Sequence, residues 1–221
     1  MRRRTGTIGR KGPGDAVPTE HYFSERPTSS EERRRFKATL LGSEIVFHTG
    51  AGVFSRLRID PGTRLLVESA PLPKQGSLLD LGAGYGPIGL AVAKARPDLD
   101  VHLVELNERA VELAKENARA NGLRNVTVHQ GDGFRALPGP AQFAAIFTNP
   151  PYRAGKAAVY AWVDESLQWL EPGGRLVCVG QTKQGVKSLA AHMAAVFGNA
   201  EEIAKGSGYR VVASTKRVEG S

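Results

Sequence analysis

The stretch that most constrains this chain is Leu78-Leu-Asp-Leu81 running into Gly82-Ala-Gly84-Tyr-Gly86-Pro-Ile-Gly89. A short apolar run that does not alternate with polar residues reads as a strand covered on both faces. Three glycines in the next five residues let the backbone turn tightly and approach a ligand closely. Pro87 then suits the first position of a helix, whose N-terminus favours a negative or polar group. A strand, a glycine turn and a helix in that order form the first half of a parallel crossover unit.

The unit repeats its logic downstream. A helix is predicted over about Pro87–Ala95, then a strand at Val101–Glu105. Asn107 caps the next helix, which stops at Asn121-Gly122. Strands follow at Val126–His129 and Phe143–Thr148. A helix is expected over Ala157–Leu170, a turn at Pro172-Gly-Gly174, a strand at Arg175–Val179 and a helix at Val186–Phe197. Glu201–Ile203 and Tyr209–Ser214 close the chain as a strand pair. This alternation predicts an α/β fold: a Rossmann-like, doubly wound, mostly parallel seven-stranded sheet with a small N-terminal extension.

Upstream the pattern is mixed. Residues 1–20 are rich in Gly, Pro, Arg and Lys and are predicted to be a disordered basic tail. Residues 21–73 read as an N-terminal extension that serves substrate recognition, and 74–221 as the main domain. Within the extension, Phe36–Leu41 is expected to pair with Glu44–Thr49 across Gly42-Ser43. Asp60-Pro61 opens a short helix through Ala70, with Asp as cap.

Composition excludes several classes. A single cysteine, Cys178, rules out an internal disulfide or a cysteine-built zinc site. The five histidines show no short metal-ligand spacing, so no metal is expected. No apolar run approaches the ~20 residues of a membrane span, and the basic start is followed by no apolar segment. A soluble cytoplasmic protein is expected. The formal charge of +8 is unevenly spread: residues 1–37 hold ten basic and five acidic side chains. A basic head on a near-neutral body fits a polyanionic partner, most often nucleic acid, and equally a solubilising tail.

Four clusters carry the chemistry. The glycine loop is the first. Glu105, nineteen residues past Gly86, is the second: a carboxylate at the next strand end can accept both hydroxyls of a ribose. Gly131-Asp132-Gly133, after the third strand, is the third, with Asp132 placed to accept an adenine amino proton. These features suit a nicotinamide dinucleotide and S-adenosylmethionine equally, since both present an adenosine.

Asn149-Pro-Pro-Tyr152, after the fourth strand, decides between them. In a doubly wound sheet that strand end faces the glycine loop across the switch-point crevice. The Asn149 side-chain oxygen and the Pro150 carbonyl are two acceptors able to converge on one amino group. Pro151 stiffens the turn and removes a donor. Tyr152 offers a ring face for stacking. Such a clamp suits an amino group conjugated to a ring or carbonyl, whose lone pair is otherwise delocalised, and a hydride-transfer enzyme has no use for it. Cys178 reads as an inert core residue, and Trp162 and Trp169, seven apart on one helix, as core or a partly buried helix face.

The pairing of Asp80-Leu-Gly-Ala-Gly-Tyr-Gly86 with Asn149-Pro-Pro-Tyr152 resembles the class I S-adenosylmethionine-dependent methyltransferases that act on amines. His21-Tyr-Phe-Ser24, Gly52-Val-Phe-Ser55, Ile59-Asp-Pro-Gly-Thr63, Gln181-Thr-Lys-Gln-Gly185 and Gly208-Tyr-Arg210 look like the short, single-domain members of the small-subunit ribosomal RNA guanine-N2 methyltransferase family. The resemblance implies that Asp80, Gly82, Ala83, Gly84, Tyr85 and Gly86 line the methionine end of the cofactor. It implies that Glu105, with Leu106 beside it, holds the ribose, that Asp132 and Gly133 meet the adenine, and that Phe54 touches the cofactor. Asn149, Pro150, Pro151 and Tyr152 would be catalytic, with Asn149 also among the cofactor-binding residues, and S-adenosylhomocysteine the product. Arg33, Arg34, Arg35, Arg153, Lys156 and Lys183 are the candidate RNA contacts. The chain departs from the long family members in two ways: it has no room for a second methyltransferase-like domain before Asp80, and it carries Tyr152-Arg153 where they tend to carry Phe-His. Adenine N6, a protein glutamine amide, and a non-catalytic role in RNA assembly remain as alternatives, and oligomeric state stays open.

Overall fold

The computed structural model describes residues 33–50, 58–139 and 142–218. The basic tail, His21-Tyr-Phe-Ser24 and Gly52-Val-Phe-Ser55, and with them Phe54, lie outside the described residues.

The chain opens with an antiparallel hairpin, β1 (Arg34–Leu40) and β2 (Ser43–Thr49). The turn sits at Leu41-Gly42, both at positive φ, one residue earlier than expected, so Leu41 leaves the strand and Ser43 joins it. Helix α1 (Pro61–Ser69) begins where Asp60-Pro61 predicted: the Asp60 carboxylate accepts the Thr63 N–H at 3.0 Å. Then come β3 (Ser77–Leu81), α2 (Pro87–Ala95), β4 (Asp100–Glu105), α3 (Glu108–Ala120), β5 (Val126–Gln130) and β6 (Phe143–Thr148). The chain ends with α4 (Lys156–Trp169), β7 (Leu170–Gln181), α5 (Val186–Phe197), β8 (Glu201–Gly206) and β9 (Tyr209–Thr215).

The seven-stranded sheet runs in the order β5-β4-β3-β6-β7-β9-β8, parallel except for β9, which runs antiparallel between β7 and β8. β3 and β6 are neighbours, so the strand order reverses between them and their carboxyl ends flank one crevice. β7 starts five residues earlier than the sequence predicts. Leu170 pairs with Phe143, the ladder shifts register, and Gly173 and Gly174 hydrogen-bond to Lys216 past the end of β9. The glycine turn is thus held inside the strand by its neighbours.

Adjacent residues of a strand serve opposite cores, as the two-residue period requires. Leu78, Leu103, Phe147 and Val179 pack with α1, α2, α3 and the hairpin. Leu79, Val104, Ile146 and Cys178 pack with α4 and α5. Cys178 is buried, and burial pushes its thiol pKa up, which suits an inert core residue. Trp169 stacks on Phe134 and Phe143 in the second core.

The hairpin shares the first core: Leu40, Ile45 and Phe47 are fully buried there. Its outer edge would leave backbone groups unpaired against α3. Two asparagines one turn apart solve this. Asn117 accepts from His48 N at 2.6 Å and donates to His48 O at 3.1 Å. Asn121 does the same for Val46, at 2.9 and 2.7 Å. Two side-chain amides on a helix thereby imitate a neighbouring strand. Among the described residues no helix is long and apolar enough to cross a membrane.

Candidate active site

A cavity of about 330 Å³ opens at the carboxyl ends of β3, β4, β5, β6 and β7. Its walls come from the turns that follow those strands, together with α4 and the start of α1.

At the glycine-loop end the wall is made of backbone. Gly82 N–H and Ala83 N–H both donate to Val104 O at 2.9 Å, which fastens the loop to β4. Gly84 N–H donates to one Glu105 carboxylate oxygen and Asn107 N–H to the other, each at 2.8 Å. Glu105 lines the cavity while only 6% exposed. Burial raises its pKa, and the N–H groups of Asn107, Gly84 and Leu106 oppose the rise. Each oxygen keeps a further lone pair, so the carboxylate can still accept from a ligand.

Asp80 and Gly86 are not among the residues that line the cavity, contrary to expectation. Asp80 is fully buried beneath the loop, where its Oδ2 accepts the Gly89 N–H at 2.8 Å. Its Oδ1 is buried with no hydrogen-bond partner among the described residues. Burial raises its pKa to about 7; the Gly89 N–H lowers it and the nearby Glu105 charge raises it. Gly86 caps α2 at φ 92°, and a side chain there would collide with Leu90 and Leu103. Tyr85 reaches the cavity wall, but its ring stands edge-on to Phe47 at 5.6 Å and to Phe36 at 6.4 Å, tying the loop to the hairpin.

Leu106, Asp132 and Gly133 also line the cavity. The Asp132 side chain is exposed and lies 3.8 Å from Arg135. Trp162 is partly buried against the second core, within the expectation of a core or partly buried face, but the sequence reading missed its place on the cavity wall. A Cβ at Gly82 or at Gly133 would come within 3.0 Å of its ring, so Trp162 stands between the two glycine turns and lines the cavity with Ala158, one helical turn earlier. That i, i+4 pair next to a glycine-rich wall was the available signal.

At the other end the wall is made of side chains. Asn149, Pro150, Pro151, Tyr152 and Arg153 all line it. The Asn149 Nδ2 donates to Thr63 Oγ1 at 3.1 Å and to Asp60 Oδ2 at 3.3 Å. No described residue donates to its Oδ1. The Pro150 carbonyl already accepts the Tyr152 N–H at 2.8 Å and keeps one lone pair. Tyr152 is anchored: its hydroxyl donates to Val179 O at 3.0 Å, and a Cβ at Gly180 would overlap it. Burial raises the Tyr152 phenol pKa, so the hydroxyl stays protonated.

The basic candidates divide. Arg153, Lys156 and Lys183 are exposed near the cavity mouth, which Arg153 and Gln184 line. The Lys156 stem would touch a side chain at Gly185, two residues past Lys183. Arg33, Arg34 and Arg35 sit on the hairpin, where Arg33 pairs with Glu116 at 3.1 Å, and none lines the cavity.

A glycine-walled crevice at the switch point, with a buried carboxylate on one side and an Asn-Pro-Pro-Tyr turn on the other, matches a known group. The family model described as the methyltransferase small domain matches residues 44–213. The chain belongs to the methyltransferase small domain family. Its motifs are those of the S-adenosylmethionine-dependent class, and the wall fits that cofactor: glycine backbone approaches from two sides, and Glu105 offers a carboxylate between them.

Relatives within the family agree. An uncharacterized Bacillus subtilis protein, YbxB, is 39% identical over 199 residues, covering 90% of this chain and 99% of the relative. The ribosomal RNA small subunit methyltransferase C of Shewanella amazonensis is 30% identical over 197 residues, covering 87% of this chain and 55% of the relative. Among solved structures, a Thermus thermophilus 16S rRNA N2 G1207 methyltransferase in complex with AdoMet and guanosine superposes with a TM-score of 0.75 at 31% identity, covering 86% of this chain and 52% of that one. The chain thus spans about half the length of these methyltransferase relatives and nearly all of the Bacillus one.

Proposed function

We propose that this protein transfers a methyl group from S-adenosylmethionine to an exocyclic amino group of ribosomal RNA, with guanine N2 of the small-subunit RNA as the target. The observation that carries this reading is the orientation of Asn149. Asn149 lines the cavity, its Nδ2 is engaged by Asp60 and Thr63, and no described residue donates to its Oδ1, which leaves that oxygen free to accept. An acceptor beside the free lone pair of the Pro150 carbonyl suits a group with two N–H donors.

When bound, S-adenosylmethionine supplies a methyl made electrophilic by the sulfonium. The chain's own residues prepare the nitrogen. Asn149 and Pro150 accept hydrogen bonds from its two N–H groups and draw the lone pair out of conjugation, and the one proton displaced by methylation leaves to solvent. Tyr152 flanks the ring. Glu105 holds the ribose, Gly82–Tyr85 follow the methionine end, and Asp132, Gly133 and Trp162 surround the adenine. Positioning of this kind supplies the rate, because no covalent intermediate is required. Arg153, Lys156 and Lys183 grip phosphates at the mouth, aided by the basic residues 1–37. The N-terminal extension contributes to substrate recognition, since Asp60 and Thr63 come from it.

RNA is favoured over a protein amide by the basic rim. The names of the Shewanella and Thermus relatives support a small-subunit target. The test is incubation of the protein with labelled cofactor and undermethylated ribosomal subunits, with mass mapping of the product nucleotide and release factors as a parallel substrate. Label in guanine N2 is expected. Label in protein alone, or in no RNA, overturns the reading.

A further inference from the structure

Two sequence motifs have no role in the site as described so far, the glutamine at the end of β7 and Gly208-Tyr-Arg210, and a third, Ile59-Asp-Pro-Gly-Thr63, has entered only through its bonds to Asn149. The fold brings all three to one place. The β7–β9 ladder sets Gln181 opposite Tyr209. Gln181 Nε2 donates to the Tyr209 hydroxyl at 3.0 Å, and that hydroxyl donates to Asp60 Oδ1 at 3.0 Å. Asp60 Oδ2 accepts from Thr63 N and from Asn149 Nδ2. Thr63 Oγ1 is the second acceptor for Asn149 Nδ2. Gly62 makes the approach possible, since a Cβ there would overlap the Tyr209 ring.

We infer that Gln181, Tyr209, Asp60 and Thr63 form a positioning relay that sets which way the Asn149 amide faces. A free asparagine can present either its oxygen or its nitrogen to a ligand. Here two acceptors occupy the nitrogen, so the oxygen is the end of the amide left free for a ligand. Both Asp60 oxygens are themselves fixed, one by the Tyr209 hydroxyl and one by the Thr63 N–H. The relay therefore makes the site select a substrate group that donates hydrogen bonds and reject one that accepts them: an amine is received, a ring oxo group is not. The charge on Asp60 also strengthens the bond to Nδ2 and, through the amide, the acceptor strength of Oδ1. Asp60, Thr63, Tyr209 and Gln181 touch Asn149 or one another, so they are positioning residues.

This inference rests on the amine-methyltransferase reading, and its test separates the two. Thr63→Val removes one acceptor with little change of shape, and Tyr209→Phe removes one hydroxyl and keeps the ring against Gly62. The first readout needs no substrate: the Asn149 side-chain amide in the nitrogen-labelled protein, assigned by its loss in Asn149→Ala. Its two protons are expected to be protected from solvent exchange in the wild type and to lose about tenfold of that protection in each variant. The second is kinetic. kcat is expected to fall about tenfold for Thr63→Val and about threefold for Tyr209→Phe, with the KM for RNA and the melting temperature unchanged. An unprotected wild-type amide, or variants that leave both the amide and kcat as they were, overturns the relay. If the wild-type protein methylates no amine, the proposed function falls and the amide readout still decides the relay.

Discussion

At the glycine-loop end of the cavity, the hydrogen bonds that fix the loop run through the backbone and through the carboxylates of Glu105 and Asp80, and the partners are close in sequence: Gly84 to Glu105, Asn107 to Glu105, Gly89 to Asp80. At the Asn149 end the wall depends on side-chain hydrogen bonds between residues as far apart as Asp60 and Tyr209, 149 positions distant. The first end can form once two neighbouring strands have paired. The second exists only after α1, β6, β7 and β9 have all taken their places. A cofactor site shared by many enzymes can be built from a local unit, whereas a substrate clamp is assembled from whichever segments the fold delivers to the opposite rim.

The sharpest way to break this division is Asn149→Ala. Turnover is expected to fall about thousandfold, as for loss of a donor or acceptor used in the transition state. Cofactor affinity by calorimetry should not change, since the glycine-loop end keeps all its contacts. A parallel loss of cofactor binding would show that the two ends are one unit.

The second test concerns pH and the buried carboxylate under the loop. Asp80 has its pKa raised from 3.8 to about 7, chiefly by burial. A carboxyl raised on folding is accommodated best when protonated. Its contribution to stability is therefore complete below about pH 4 and is lost as pH rises through about 7, a change of up to roughly 4 kcal/mol. Thermal melts of the apoprotein should show the wild type losing stability relative to Asp80→Asn between pH 5 and pH 8. Parallel curves would refute an ionisation cost at this position.

Glu105→Gln probes the same end with a smaller effect. One oxygen remains for the backbone, and the charge offered to the ribose is gone. Cofactor affinity should drop about tenfold, with kcat at saturating cofactor retained. The mildest change is the triple replacement of Arg153, Lys156 and Lys183 by Ala. RNA binding should weaken roughly fivefold and its logarithmic salt slope should flatten by about two, with cofactor affinity untouched. An unchanged salt slope would move the RNA to another face.

Legibility followed the same division. Leu78–Leu81, the glycine loop, Glu105 at the end of β4 and the Asn-Pro-Pro-Tyr turn were readable because each is a contiguous pattern with its own period or spacing. The neighbouring positions of β3 and β6 followed from the handedness of parallel crossovers. Other features were readable only in part. Asp60 was legible as a helix cap, and it is one, but its second task depends on where α1 lands. Asp80 carries the motif's acidic residue, yet it lies under the wall and not in it, because its oxygen is used by Gly89. Trp162 read as core or a partly buried face because helical spacing says which face of a helix is covered and not what covers it. The early start of β7 could not be read from Pro172-Gly-Gly174, since the pairing of Leu170 with Phe143 is a contact between distant segments.

By itself the sequence determined the strand and helix units, their parallel arrangement and the two motifs that face each other across the crevice. Those depend on local backbone freedom and on hydrophobic period, which are properties of neighbouring residues. Only the tertiary structure decided which way the Asn149 amide points, which carboxylate reaches the cavity, and that a hairpin is docked on α3 through Asn117 and Asn121. Each of those is a hydrogen bond between side chains and partners far apart in the chain, and its geometry is set by packing that no local pattern encodes.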